Sequence, residues 1–466
     1  MATTEPSVAP SALEGFARGL RGSLLRTGDA GYDEARRVHN GMHDREPELI
    51  VRCAGPADVI AAVKYARSEG LDVAIKGGGH SVPGYSSIAG GMLIDLSAMR
   101  SVRVDPEART ARAEAGCLWE DLDHETQAFG LAVTGGQVSH TGIAGLTLGG
   151  GFGYLVRKYG FTVDSLLSVD LVTADGALVH ASEAENPELF WGVRGGGGNF
   201  GIVTSFEYRL HPVGPIVTGG MMLWPGTAAR DLLRFWADYM VQAREELTTQ
   251  FAFIHLPPAP FVPEDAWGAA AVGMLTCYAG SPEQSAPVLA PFREFRTPIA
   301  DMVGPIPYVA LQQMINELVP HGNLYYSTGN YLTEISDEAA DAMVSIAHSA
   351  PSPMSFLGIF SLGGAAGRVA EDATAMGTRN ARFSAEVISI WVDPAETEAN
   401  IDWARQVGAA VRPFGTGSAY VNLMGEPGAD VSSFYSSATR QRLAELKAAY
   451  DPTNFFNRNA NVAPAP

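Results

Sequence analysis

The sequence predicts an α+β protein of two domains, the second an antiparallel sheet covered by helices on one face. Three observations carry that reading. Helical and strand periodicities alternate in short pieces up to about residue 212. From roughly residue 215 to 410 the pattern changes to long helical stretches between apolar strands. The chain of 466 residues is also longer than one hydrophobic core usually organises.

Taken in order, residues 56–70 place Val59, Ala62, Val63 and Ala66 at helical spacing and stop at Gly70. Residues 71–75 read as a strand running into Gly77-Gly78-Gly79-His80-Ser81, and 92–96 as a second strand. Residues 102–104 and 110–115 flank a turn at Asp105-Pro106-Glu107, and a helix over 118–129 ends at Gly130. Residues 135–153 are turn-rich and glycine-dense, and 189–194 are a weak strand. Strands at 167–173 and 177–180 are joined through Asp175-Gly176, and 202–210 adds another before His211-Pro212. In the second domain, 229–244 is the clearest helix, followed by strands at 251–255 and 273–278. The last helix, 434–450, carries Leu443 and Leu446 and stops at Asp451-Pro452. Residues 1–10 read as a disordered polar start and 463–466 as a frayed tail.

Composition narrows the function. The 32 basic and 51 acidic residues leave a net charge of -19, which repels phosphate backbones and excludes nucleic acid as a natural partner. Charged residues are 18% and hydrophobic ones 46% of the chain, a globular balance. No apolar run approaches the ~18 residues of a membrane-spanning helix. The start lacks a basic patch followed by an apolar run, so a cytoplasmic protein is expected. Cys53, Cys117 and Cys277 are too widely spaced for a metal knuckle and too few for a disulfide framework, so buried thiols are expected. With no H-x-x-x-H or C-x-x-C spacing, no metal is expected.

Three glycine clusters stand beside strand patterns: 77–81, 142–153 and 195–201. Backbone N–H groups in such turns surround phosphate oxygens without lysine or arginine, which suits an acidic protein. Gly196, Gly198 and Gly201 match the dinucleotide fingerprint G-x-G-x-x-G, but a strand rather than a helix follows, which argues against a nicotinamide site. His80, at a strand end inside a glycine loop, either aims its imidazole at a ligand or is a hydrogen-bonded loop residue. His140 reads more simply as a supporting group, and His124 as part of a polar helix face beside Asp121 and Asp123.

Lys76-Gly-Gly-Gly-His80-Ser81, Gly142 to Gly153 and Gly195 to Val203 resemble the FAD-binding domain of the vanillyl-alcohol oxidase (PCMH-type) superfamily. Within it they are similar to the berberine-bridge-enzyme-like branch, and over residues 48–212 to its bacterial 6-hydroxynicotine oxidases. Asp95-Leu-Ser, Lys158-Tyr-Gly160, Asp164 and Val172 to Gly176 agree too. So do Tyr420-Val-Asn422, Arg442-Leu443, Lys447, Tyr450-Asp-Pro452 and Asn454-Phe-Phe456 near the end. The resemblance implies a PCMH-type FAD domain made of residues 1–214 and a returning segment 411–466, with a substrate domain at 215–410. It implies FAD attached through one 8α-histidyl bond at His80. Some members add a cysteinyl bond at the position of Val138, which this chain cannot form.

Cofactor contacts implied in the first loop are Lys76, Gly77, Gly78, Gly79, His80, Ser81, Gly84 and Tyr85. The second region contributes Val138, Thr141, Gly142, Gly145, Leu146, Gly149, Gly151, Gly153 and Tyr154, and the third Gly198, Gly201, Ile202 and Val203. Tyr420 and Asn422 complete the set from one face of a candidate strand. The implied reaction is hydride removal from a CH–OH or CH–NH carbon of a small or medium organic molecule, with oxygen reduced to hydrogen peroxide. A carbohydrate oxidase forming a lactone, or a flavin-binding protein without catalysis, are the other readings. Tyr420 is the candidate base or a packed tyrosine, with Asn422 and Tyr326 as further catalytic candidates. Alternation puts Tyr325 and Tyr331 on one strand face and Tyr326 on the other. Relatives often carry tryptophan-lysine where Ser327 and Thr328 stand, and bicovalent relatives a tyrosine where Leu423 stands. Arg379, Asn380, Glu386 and Trp391 suggest another pocket-side strand, with structural polar contacts the simpler reading. The protein is expected to be a monomer or homodimer.

Overall fold

The computed structural model describes residues 10–260, 262–426, 428 and 433–466. The expected disordered start falls mostly outside them, and Pro10 already opens the helix Pro10–Gly19. The first sheet pairs Leu49–Arg52, Met92–Asp95 and Val73–Lys76 in parallel, with Ser23–Leu25 antiparallel at its edge. The crossover is the helix Pro56–Glu69, which buries Val59, Ala62, Val63 and Ala66 and ends where Gly70 turns to φ +66°. A second, antiparallel sheet runs Val102–Asp105, Thr110–Glu114, Ile202–Arg209, Leu166–Val172, Leu178–Ser182. One apolar core joins both sheets.

The second domain is an eight-stranded sheet in which every pairing is antiparallel. The helices Ala229–Gln242, Ser285–Phe295, Asp337–Ala347 and Thr397–Val411 cover one face. Trp236, Phe292, Met343 and Trp403 from them pack against Phe251, Phe383 and Trp391. The other face turns toward the first domain, so a site between the domains is bounded by sheet residues rather than by helices.

The last helix, Ser437–Tyr450, returns to the first core through Leu443 and Leu446. Lys447 and Asp451, one helical turn apart and both fully buried, form an ion pair of 2.7 Å. Lys447 Nζ also donates to the carbonyls of Asn199 (2.7 Å) and Phe456 (2.9 Å), tying the third glycine cluster to the chain's end. The tail is not frayed: Ala465 N–H donates to Ala444 O at 2.9 Å, which docks it on that helix.

Three other expectations change. The weak strand at 189–194 is the helix Pro187–Val193, opened by a proline in its first turn. A short helix, Ile143–Leu148, lies inside the glycine-dense stretch, because Ile143, Ala144, Thr147 and Leu148 share a buried face. Tyr420 and Asn422 do not lie on a strand: Val421–Leu423 is a single 3₁₀ turn. The hydrogen bond from Leu423 N–H to Tyr420 O closes that turn.

Buried cations stitch the domains together. Arg157 donates to the carbonyls of Leu247, Ala243 and Leu362. Arg379 forks onto Asp164 with bonds of 2.7 and 2.8 Å, both side chains almost fully buried. Arg379→Ala leaves the Asp164 carboxylate buried without its partner, a loss of about 3–5 kcal/mol. A lower urea midpoint for that variant is the expected measurement. Among the described residues no helix is long and apolar enough to cross a membrane.

Candidate active site

The Val73–Lys76 strand delivers the 77–81 loop to the domain junction. There it crosses the 138–142 loop backbone to backbone. A Cβ on Gly78 would meet Gly142 N at 2.3 Å, and one on Gly142 would meet Gly78 N at 2.4 Å, so neither position admits a side chain. The second loop is hooked from both sides. Trp119 N–H and Glu120 N–H donate to Thr141 O and Ser139 O, while Asn316 of the second domain bonds Ser139 through both its amide atoms. Two glycine-bearing loops crossing this closely fit a phosphate-bearing cofactor without any cation.

His80 stands half-buried at the mouth of the first loop. Its Nε2 lies 2.8 Å from His140 Nδ1, so one ring donates to the other, and its ring stacks on His39 at 4.1 Å. Burial, reinforced by the facing imidazoles, holds His80 well below the ordinary histidine value. The same causes lower His39 to about 3 and His140 to about 4. At neutral pH these rings are uncharged. His321, exposed and also lowered by burial, completes a group of four whose ligand nitrogens lie within 4.8 Å of one another. The absence of short metal-ligand spacings predicts no such cluster; its members come from four remote segments.

Across the junction, Tyr420 oxygen accepts from Gly151 N–H (3.2 Å) and Asn422 Nδ2 (2.9 Å), and its ring rests on Phe152. Both lone pairs are used, so its O–H remains free to donate. Burial pushes the phenol's pKa upward. Asn422 also donates to the carbonyls of Gly145 and Leu146, both at 3.2 Å, satisfying the last turn of the Ile143–Leu148 helix. It occupies the space a Cβ on Gly149 would need, 2.3 Å from its Oδ1.

Glu386 emerges as the residue the sequence underrated. It sits mid-sheet on Phe383–Trp391, and its neighbours on both sides are glycines, Gly329 and Gly358. Neither directly paired residue carries a side chain. It is 6% exposed, and its Oε1 has no hydrogen-bond partner. Burial raises its carboxyl to about 8, opposed by a hydrogen bond with Ser384. Tyr331, two residues from Gly329, packs with Phe152, Met376 and Tyr420.

The remaining candidates divide. Ser81 Oγ accepts from Tyr85 N–H (3.1 Å) and Arg45 holds Gly84 O (2.8 Å), so these residues shape the first loop. Tyr85 OH accepts from Gly428 N–H at 3.4 Å. Gly77, Gly79, Gly145, Gly151, Gly153, Thr141 and Leu146 lie in or beside the two loops. Gly198, Gly201, Ile202 and Val203 run from the third cluster into a buried strand. Lys76 points away from solvent, held by Ala35 O and by Asp95 at 3.3 Å. Tyr154 is buried among Leu155, Val213, Cys277 and Tyr308. Tyr326 faces the helix side, where its O–H donates to Glu426 at 2.6 Å, while Tyr325 packs tilted against His39 on the opposite face. Val138 lies in the second loop two residues before His140, and all three cysteines are buried and free.

The FAD binding domain family matches residues 47–182, and the berberine and berberine-like family matches residues 419–463. An FAD-linked oxidoreductase of Dictyostelium discoideum is 30% identical over 96% of both chains. The (R)-6-hydroxynicotine oxidase of Paenarthrobacter nicotinovorans is also 30% identical, over 96% of this chain and 97% of its own. The crystal structure of 6-hydroxy-D-nicotine oxidase from Arthrobacter nicotinovorans superposes with a TM-score of 0.85 at 27% identity, covering 96% of this chain and 98% of that one. With crossed glycine loops and a histidine at their mouth, these relationships define an FAD-dependent oxidoreductase acting on a small organic substrate. More narrowly, the chain belongs to the berberine-bridge-enzyme-like branch of the vanillyl-alcohol oxidase (PCMH-type) superfamily, related to the bacterial 6-hydroxynicotine oxidases.

Proposed function

We propose that the protein oxidises a CH–OH or CH–NH carbon of a small or medium organic molecule and passes the electrons to oxygen, forming hydrogen peroxide. His80 holds the flavin through a single 8α-histidyl bond, since Val138 offers no thiol for a second. Bound FAD supplies a two-electron acceptor. The chain's own groups divide the remaining work. The 77–81 and 138–142 loops hold the pyrophosphate through backbone N–H groups. Glu386 accepts the proton from the substrate's oxygen or nitrogen, and Tyr420 donates a hydrogen bond to the same region while Asn422 and Gly151 fix its oxygen.

The observation that carries this reading is the Glu386 carboxyl, buried between two glycines with an unpaired oxygen and raised to about 8. A buried acid with an unpaired oxygen and a raised pKa is placed for proton transfer. The test is anaerobic bleaching of the flavin by a panel containing 6-hydroxynicotine, cyclic amines, phenolic alcohols, polyols and sugars. Reduction by an alcohol or amine, with peroxide released on admitting air, is expected. An unreduced flavin across the whole panel is the result a flavin carrier without catalysis gives.

Tyr420→Phe removes the free O–H but keeps the ring against Phe152. Flavin content is expected to stay at the wild-type level while the rate of flavin reduction falls ~100-fold, the cost of one lost hydrogen-bond donor at a reacting centre. Stopped-flow reduction rates equal to wild type would remove Tyr420 from the chemistry.

A further inference from the structure

We propose that His39, His140 and His321 form a binding site for a divalent transition ion of the zinc class, beside the ring of His80. The spacing of the three rings is the first argument. Their centroids are 5.6, 4.8 and 4.7 Å apart. A tetrahedral ion with metal–nitrogen bonds of ~2.0–2.1 Å holds the centroids of two imidazole ligands about 5 Å apart. The ring centroids therefore stand near coordination spacing, with the ligand nitrogens of the group within 4.8 Å of one another. Interplanar angles of 37°, 83° and 47° keep these three rings from stacking, as convergent ligands require.

His80 is arranged differently. It lies flat on His39, at 4.1 Å and 15°, and hydrogen-bonds to His140 at 2.8 Å. Two nitrogens on one tetrahedral ion stand about 3.3 Å apart, so the His80–His140 pair is a hydrogen bond and not a shared coordination edge. That leaves His80 free for a separate attachment.

The second argument is an orphaned atom. His39 is 5% exposed, and its Nδ1 has no hydrogen-bond partner. Buried imidazole nitrogens are ordinarily satisfied, and a bound ion would satisfy this one. The ligands are also positioned before any ion arrives. His39 N–H donates to Gly79 O at 3.0 Å, and Gly322 N–H donates to His39 O at 2.9 Å, lacing the 39, 80 and 321 segments together. Asn316 holds the loop that carries His140.

The ligand set identifies the ion's class. Three imidazoles with no carboxylate in the cluster select zinc, nickel, cobalt or copper over magnesium and calcium, which need oxygen donors. His321 is exposed and gives the ion a route in.

The experiment is equilibrium dialysis of the full-length yellow protein against zinc, followed by elemental analysis, with the flavin-free protein run in parallel. One equivalent of zinc in both forms is expected. In His321→Ala and in His39→Ala the zinc affinity is expected to fall by more than the ~10–100-fold that loss of a ligand's supporting hydrogen bond costs. Retained flavin and an unchanged circular dichroism spectrum show that each variant is folded. No bound zinc, or equal affinity in His321→Ala, overturns the proposal. Binding by the flavin-free form alone also overturns it, because the ion would then require His80.

Discussion

His80→Ala is expected to release all of its yellow colour on acid denaturation, whereas the wild-type precipitate stays yellow. The loop that carries His80 is shaped by backbone bonds that do not involve the ring. His39 N–H reaches Gly79 O at 3.0 Å, and Gly84 N–H reaches Ser81 O at the same distance. Gly79 at φ +72° sets the bend just before the histidine. Removing the imidazole therefore spares the turn and the crossing of Gly78 with Gly142, so FAD still finds its backbone amides. What disappears is the nitrogen proposed to hold the isoalloxazine after the protein unfolds. Peptide mass analysis gives the same answer independently: the flavin mass is expected on the wild-type peptide containing residues 77–81 and nowhere in the variant. Flavin found on another residue, or wild-type colour lost on denaturation, would refute the single histidyl link.

Which parts of this site could be read from the sequence follows from how local each signal is. The helix Pro56–Glu69 and the strands around it were visible because their buried residues repeat at the local period. The glycine loops were visible because close backbone approach leaves a compositional mark, and Gly78 against Gly142 shows why. Alternation correctly separated Tyr326 from Tyr325 and Tyr331. Which face meets the cofactor domain, however, is decided by the four helices that cover the other face. Glu386 was a polar residue on a strand until register placed Gly329 and Gly358 on either side of it, and register is not a local property. Lys76 adjoins the glycine motif but is claimed by Asp95, nineteen positions away, on the adjacent parallel strand. Tyr420 and Asn422 were placed together by an i, i+2 spacing that a strand shares with the 3₁₀ turn observed; their contact survives although the element differs. His39 and His321 carried no signal at all, because their neighbours in space are distant in the chain.

Glu386→Gln is expected to slow flavin reduction by ~10²–10⁴-fold while leaving the flavin covalently bound, the range typical for removal of a general base. The pH dependence makes the result specific. With its carboxyl raised to about 8, Glu386 is uncharged in acid and becomes a proton acceptor as the pH passes that value. The wild-type reduction rate is therefore expected to climb through pH 8, and the variant's to lose that limb. Stability runs the other way. The folded-state value lies above the ordinary 4.5, so the stabilising contribution is fully present below about 4.5 and is lost as pH rises through about 8. Glutamine stays neutral, so the variant's melting temperature is expected to gain on wild type from about pH 4.5 to about 8 and to level off above that. The two readouts separate the roles of this residue. A widening melting difference with an unchanged rate profile would make Glu386 a buried structural acid, and the proton acceptor would have to be sought elsewhere in the pocket. Loss of the alkaline limb together with the melting shift identifies the same carboxyl as the group that burial destabilises and catalysis uses.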